Sequence, residues 1–184
     1  MPLPTETPVI DTKSLRLRAL TQEDTDDMHA ICSDSITMEY WGTAPTGNIE
    51  ETRQLVLRDL KAAAAGQAMF WAIELKGTGR VIGKCTLWQY SENNLRAEVG
   101  YVLNREYWRG GLMTQALSAM IDYAFSTLGL HRLEADTDDN NLASLALLEK
   151  LGFQREGFFR ERWCVNGVWQ NSVMLGLLNS DITF

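Results

Sequence analysis

Hydrophobic and polar positions change period several times along the chain, and each change marks an element. In "LRLRA", Leu15, Leu17 and Ala19 alternate with Arg16 and Arg18, the two-residue period of a half-buried strand. Thr21 and Asp24 have the spacing of a capping box and predict a helix running to about Ser33, with Asp26 and Asp27 near the positive end of its dipole. A second helix is expected from Asn48 through "IEETRQLVLRDLKAAAA". There Ile49, Leu55, Val56, Leu60 and Ala64 make an apolar stripe that Gly66 ends. The period then returns to two: "MFWAIEL", "RVIGKCTLWQY" and "RAEVGYVLN" read as three consecutive strands, the first two joined at "KGTG". A helix from about Leu112 to Leu128 and a short strand, "HRLEADT", come next. The chain closes with a helix from about Leu142 to Lys150 and a hairpin, "GFFRERWCV" and "VWQNSVMLGLL" across Asn166-Gly167.

Strands grouped in runs, rather than alternating with helices, give an α+β domain and not a doubly wound sheet. Residues 1–13, with three of the 4 prolines, read as an arm leading into one domain over 14–184. A chain of 184 residues, 45% of them hydrophobic, builds one ordinary core. The net charge of -7 argues against a large basic surface, so no direct nucleic-acid partner is expected. Cys32, Cys85 and Cys164 are widely spaced among apolar residues and read as free buried thiols, neither a disulfide framework nor a metal-ligand pair. His29 and His131 lie at no metal or nucleophile spacing, so no metal is expected. No apolar run approaches the roughly 18–20 residues of a membrane span, and "MPLPTETPVI" lacks the order of a signal peptide. A cytoplasmic protein without a membrane partner is the expectation.

The chemistry starts at "YWRGGLMTQAL". Gly110 and Gly111 thin the side-chain layer where a helix begins, leaving main-chain N–H groups that a bulky anion such as phosphate can approach. A tight strand-to-helix turn accounts for the same two glycines. The stretch satisfies neither the dinucleotide-binding fingerprint nor the P-loop.

Three linked pieces, "AEVGYVLNREYWRGGLMTQAL", "NLASLALLEKLGF" and "FQREGFFRERWCVNGVWQNSVMLGLL", together resemble the GNAT superfamily of acyl-CoA-dependent N-acyltransferases, over about Leu15 to Leu178. The chain is most similar to the branch containing ribosomal-protein N-terminal (alanine/serine) acetyltransferases, whose turn also reads roughly Tyr-Trp-x-x-Gly-x-x-Thr-x-Ala. Of the wider superfamily pattern at this turn only Gly111 fits squarely, with Trp108 and Met113 departing from it. The resemblance implies a mixed, mostly antiparallel twisted sheet of about seven strands flanked by four helices. It implies acetyl-CoA as cosubstrate and direct transfer to a primary amine, by branch a ribosomal or other protein N-terminus. A small-molecule amine (polyamine, amino acid or antibiotic) and a CoA-binding module without catalysis are the alternatives, and a homodimer is compatible with such folds.

Residue by residue, the resemblance implies that main-chain N–H groups of Arg109, Gly110, Gly111, Leu112, Met113 and Thr114 hold the CoA pyrophosphate, the Arg109 side chain adding a phosphate contact or lying solvated. Asn141 contacts the cofactor arm, caps its helix, or does both. A main-chain N–H near Val102 or Leu103 faces the developing oxyanion. Glu98 is the base, directly or through water, or else an ion-pair partner for a neighbour such as Arg96; Glu134 is a weaker rival. For the leaving thiolate "NLASLALLEKLGF" offers no tyrosine, and Ser144 is the available hydroxyl, acting by hydrogen bonding or serving only the helix. Tyr40 and Trp41 wall the acceptor groove or pack as core, and Asn171 stands where relatives often carry Asp.

Overall fold

The structure, a computed structural model, describes residues 3–165 and 167–182. Among them, strands β1 (Ile10–Asp11), β2 (Leu15–Ala19), β3 (Met69–Leu75), β4 (Val81–Ser91), β5 (Arg96–Leu103), β6 (Arg132–Asp138), β7 (Gln154–Val165) and β8 (Val168–Leu178) form one sheet. Its order is β1-β2-β3-β4-β5-β6-β8-β7, and only β5 and β6 run parallel. The helices are α1 (Thr25–Cys32), α2 (Ile49–Ala64), α3 (Leu112–Ser126) and α4 (Leu142–Lys150).

Alternation sends the side chains of each strand to two cores. On one face Leu15, Leu17, Trp71, Leu87, Leu133 and Leu175 meet Ala116, Leu117 and Met120 of α3 and Leu145 and Leu148 of α4. On the other, Ala72, Val81 and Val102 meet Met28 and Ile31 of α1 and Val56 of α2. The result is a helix–sheet–helix sandwich.

Cys32 and Cys85 are buried, but Cys164, expected to be buried with them, is exposed on β7. Four details of the elements also depart from the reading of the sequence. The segment read as an arm contributes β1, and its Leu3 is buried while the Pro8 carbonyl accepts from the Trp71 indole (2.9 Å), so the sheet gains an eighth strand. The Thr21/Asp24 box closes only a single 3-10 turn, Gln22–Asp24, before α1 starts at Thr25. There the Asp24 carboxylate takes the Thr21 N–H (2.8 Å) and both terminal nitrogens of Arg18 (2.9 and 2.8 Å). The buried face of α2 is Thr52, Val56 and Asp59, whereas Ile49 of the expected stripe is exposed. Polar groups take that face because each has a partner: Asp59 the Lys84 ammonium (2.5 Å), and Thr52 the His29 Nδ1 (2.8 Å) and the Thr46 hydroxyl (2.8 Å). The long third helix ends at Ser126, two residues earlier than expected. Asn166 of the hairpin signal lies outside the described residues; the flanking Val165 and Val168 are paired, as a two-residue hairpin requires.

Candidate active site

The parallel pair β5–β6 is in register only at Arg96–Arg132, Ala97–Leu133 and Glu98–Glu134. Beyond Glu98 both strands continue, β5 held by β4 and β6 by β8, but they are no longer partners. The sheet therefore opens in the middle. The Asn104 N–H bonds the Ile82 carbonyl (2.8 Å), which fixes the phase of the β4–β5 ladder. In an antiparallel pair main-chain groups alternate, so the even residues of β5 face β4 and the odd ones, Val99, Tyr101 and Leu103, face the opening. This corrects one expectation: Val102 is turned to Lys84 across the ladder, and of the two named residues Leu103 presents its N–H to the gap.

At the wide end of the opening the chain passes a 3-10 turn at Arg105–Tyr107 and reaches the start of α3. The Trp108 indole donates to the Leu103 carbonyl (2.7 Å), tying this turn to the strand end. Arg109 and Gly111 both adopt left-handed backbone, with φ 63° and 72°. For Arg109 that geometry costs on the order of 1–2 kcal/mol, strain of the kind found at ligand-binding turns. Gly111 is the N-cap, so no side chain caps the helix, and the first turn of α3 has no acidic residue. A Cβ on Gly111 would meet nothing within 4 Å. The first N–H groups of α3 thus face open space with the positive end of the dipole behind them, a fit for a phosphate or pyrophosphate. The main-chain groups of Arg109, Gly110, Gly111, Leu112, Met113 and Thr114 all belong to this turn. Met113 turns its side chain into the core, and that of Arg109 is exposed without an ion pair among the described residues.

The opposite wall is the start of α4. Asn141 is its N-cap, accepting the Ser144 N–H (3.1 Å), so its amide oxygen is engaged while its Nδ2 makes no hydrogen bond among the described residues. The Ser144 hydroxyl lies 2.6 Å from the Tyr101 hydroxyl, which reaches across from β5. Burial pushes Tyr101 up to about 12, the Ser144 hydrogen bond opposing part of the effect. Nothing in the sequence pairs residues 43 positions apart on a strand and a helix, and Tyr101 escaped the sequence reading for that reason.

Glu98 sits where β5 and β6 part, on the face opposite Tyr101. Arg96 does not neutralise it: Arg96 pairs with Glu134, which also takes Arg132 (2.9 Å), leaving Glu134 an ion-pair anchor. Among the described residues no hydrogen bond or ion pair reaches the Glu98 carboxylate. Burial pushes it up to about 7, the charges of Asp136 and Glu134 add to the rise, and Arg162 and Arg96 partly offset it. Asp136, another residue absent from the sequence reading, is held by Arg162 (2.8 Å) and the Trp163 indole (3.3 Å) of β7. Asn171 braces the same hairpin, accepting the Glu161 N–H (3.0 Å) and donating to Asp139 (3.2 Å). Tyr40 is exposed in the loop after α1, whereas Trp41 packs on the second core. Among the described residues the His29 ring bonds only within the Thr46–Thr52 cluster. Among the described residues no group of three His, Cys, Asp or Glu is placed to hold a metal, and no helix is long and apolar enough to cross a membrane.

Known proteins match this architecture. Residues 14–154 match the family model described as an acetyltransferase (GNAT) domain. An uncharacterized N-acetyltransferase, p20, of Bacillus licheniformis is 33% identical over 170 residues, covering 92% of this chain and 96% of that protein. Two solved structures share the fold. The ribosomal-protein-S5-alanine acetyltransferase of Vibrio fischeri superposes with a TM-score of 0.82 at 21% identity, covering 96% of this chain and 100% of that one. The spermidine N-acetyltransferase of Vibrio cholerae, in complex with CoA and spermine, gives 0.81 at 24% identity, covering 92% and 98%. With a family match over most of its length and its sheet opened beside an uncapped helix start, the chain belongs to the GNAT acetyltransferases, acetyl-CoA-dependent N-acetyltransferases.

Proposed function

We propose that the protein moves an acetyl group directly from acetyl-CoA to a primary amine, and that its preferred acceptor is a protein N-terminal α-amine. The observation that carries the reading is the opening between β5 and β6, with an uncapped helix start at one end and an unpaired, desolvated carboxylate at the other. The N–H groups of Arg109 to Thr114 would hold the pyrophosphate, with Asn141 Nδ2 beside the cofactor arm. When bound, acetyl-CoA supplies the acetyl group as an activated thioester.

The residues of the chain divide the remaining work. Glu98 accepts a proton from the incoming ammonium, directly or through a water. The Leu103 N–H donates to the acyl oxygen as negative charge grows there. Ser144 offers a hydroxyl to the sulfur. Of the two protons the ammonium loses, one passes through Glu98 to solvent and the other ends on the departing thiol.

Proton affinity favours the α-amine. A base near 7 takes a proton from an α-ammonium of pKa about 7.7–8.0 at a cost of roughly 1 kcal/mol, but from an alkyl ammonium of about 10.4 at roughly 4.6 kcal/mol. A second reading, a polyamine acceptor, is favoured by the carboxylates that Glu98 of β5 and Glu134, Asp136 and Asp138 of β6 set on one face of the parting strands, and by the fold shared with the spermidine enzyme. Thiol release measured with matched peptides and polyamines decides. Faster turnover of peptides with free N-termini is expected; preference for spermine establishes the second reading, and no turnover with any amine defeats both.

A further inference from the structure

The Tyr101–Ser144 contact joins the two walls of the opening, and it changes what each hydroxyl can do. A serine inside a helix ordinarily turns its hydroxyl back to a carbonyl one turn earlier. Ser144 makes no such bond among the described residues. Its main-chain N–H is held by Asn141 (3.1 Å), which fixes the residue at the first turn of α4, and its hydroxyl oxygen lies 2.6 Å from the Tyr101 oxygen, which orients the side chain. Two hydroxyls bring two hydrogens to a single mutual bond, and one hydrogen is left over. Tyr101 also lies 3.5 Å from the Ser144 carbonyl, a long contact that competes weakly with the 2.6 Å one. Tyr101 stands where β5 has lost its β6 partner and turns its odd main-chain groups to the gap, and Ser144 meets it from the first turn of α4.

We propose that Tyr101 is a positioning residue for the departing sulfur: by donating to the Ser144 oxygen it frees and polarises the Ser144 hydrogen, which bonds the thiolate as the C–S bond breaks. This rests on the acetyl-transfer reading above. The electron pair of the C–S bond stays on sulfur, the Ser144 O–H shares its hydrogen without giving it up, and the proton that finally neutralises the thiolate is the second one lost by the amine. Tyr101 remains a neutral phenol throughout, as its burial requires. A chain of two hydroxyls strengthens the terminal donor more than a lone serine does.

The test reads the thiol of bound CoA rather than turnover. Thiolate absorbance in the ultraviolet is titrated for CoA alone and for CoA on the full-length wild-type protein, Tyr101→Phe, Ser144→Ala and the double variant. The wild-type protein is expected to lower the thiol pKa. Each single variant should return it upward by about 1 pH unit, roughly tenfold in thiolate fraction, and the double variant should equal Ser144→Ala, because Tyr101 acts only through that hydroxyl. Phenylalanine keeps the ring, and calorimetric CoA affinity near the wild-type value verifies that Tyr101→Phe keeps the opening intact. An unchanged thiol pKa in Tyr101→Phe, or additive effects in the double variant, overturns the proposal while leaving acetyl transfer standing. Failure of the wild-type protein to bind CoA overturns the acetyl-transfer reading itself.

Discussion

Replacing Glu98 with glutamine should make the protein slower and more stable at once. Burial beside Asp136 and Glu134 raises the Glu98 carboxyl from its ordinary 4.5 to about 7, so the folded protein holds this proton more tightly than the unfolded chain does. Below about pH 4.5 the group is protonated in both states and contributes nothing. Between 4.5 and 7 the unfolded chain releases the proton first and folding loses stability; above 7 the loss is complete. A gap of about 2.5 at ~1.36 kcal/mol each sets a ceiling of about 3.4 kcal/mol. The side chain is only half-buried and solvent screens its neighbours, which reduces the figure to about 1–2 kcal/mol.

Glutamine keeps the shape and removes the charge. In a chain of this size each kcal/mol moves Tm by roughly 2–4 °C, so Glu98→Gln should melt roughly 2–8 °C higher at pH 8 and level with wild type at pH 4. The same variant should lose the part of the kcat/KM profile that rises through about pH 7 in the wild type, because that limb reports the base. Thermal unfolding by circular dichroism at both pH values, beside thiol release across pH 5–9, reads the two effects. Equal melting at pH 8, or an unchanged rate profile, would refute the reasoning, since both follow from one desolvated carboxylate.

Gly111→Val puts a β-branched residue at φ 72°, and calorimetry should show CoA affinity falling at least tenfold although no neighbour stands within 4 Å of the new Cβ. Asn141→Ala removes the α4 cap and should lower stability by ~1 kcal/mol, roughly 2–4 °C in a melt. Asp59→Ala leaves Lys84, 11% exposed, without its partner; a loss of about 3–5 kcal/mol in urea titration is expected, and Lys84→Met in the same chain should recover most of it.

Much of this fold was legible because helix and strand periods follow local sequence: α4 has the bounds its caps predict, and β3 coincides with the apolar run that marks it. The buried face of α2 was not, because its register depends on partners elsewhere in the chain. Thr52 and Asp59 lie outside the apolar stripe and join the buried face because His29 and Lys84 stand opposite them. The turn into α3 was visible in Gly110-Gly111, and its strained Arg109 was not, since a left-handed arginine has no sequence signature. Glu98 could be named from the resemblance, but its raised pKa comes first from burial and then from the charges of Asp136 and Glu134, on a strand that closes beside it only in the folded sheet.

The arrangement of the site follows from one property of β5, its two-residue period. Glu98 lies on the face covered by α1 and α2, while Tyr101, an odd number of positions on, lies on the face covered by α3 and α4 and reaches Ser144. The odd main-chain groups meanwhile turn edgewise to the gap left by β6. A carboxylate, a main-chain N–H and a hydroxyl are thus distributed over two faces and one edge of a strand only eight residues long. The dependence on register is strict: a slip of one residue against β4 would exchange the two faces, bury Glu98 against α3 and turn Tyr101 toward α1 and α2. The long β4 ladder, seven paired positions from Gly83–Leu103 to Ser91–Arg96, is what fixes that register, so that opening the sheet on the β6 side does not loosen the strand on which the chemistry depends.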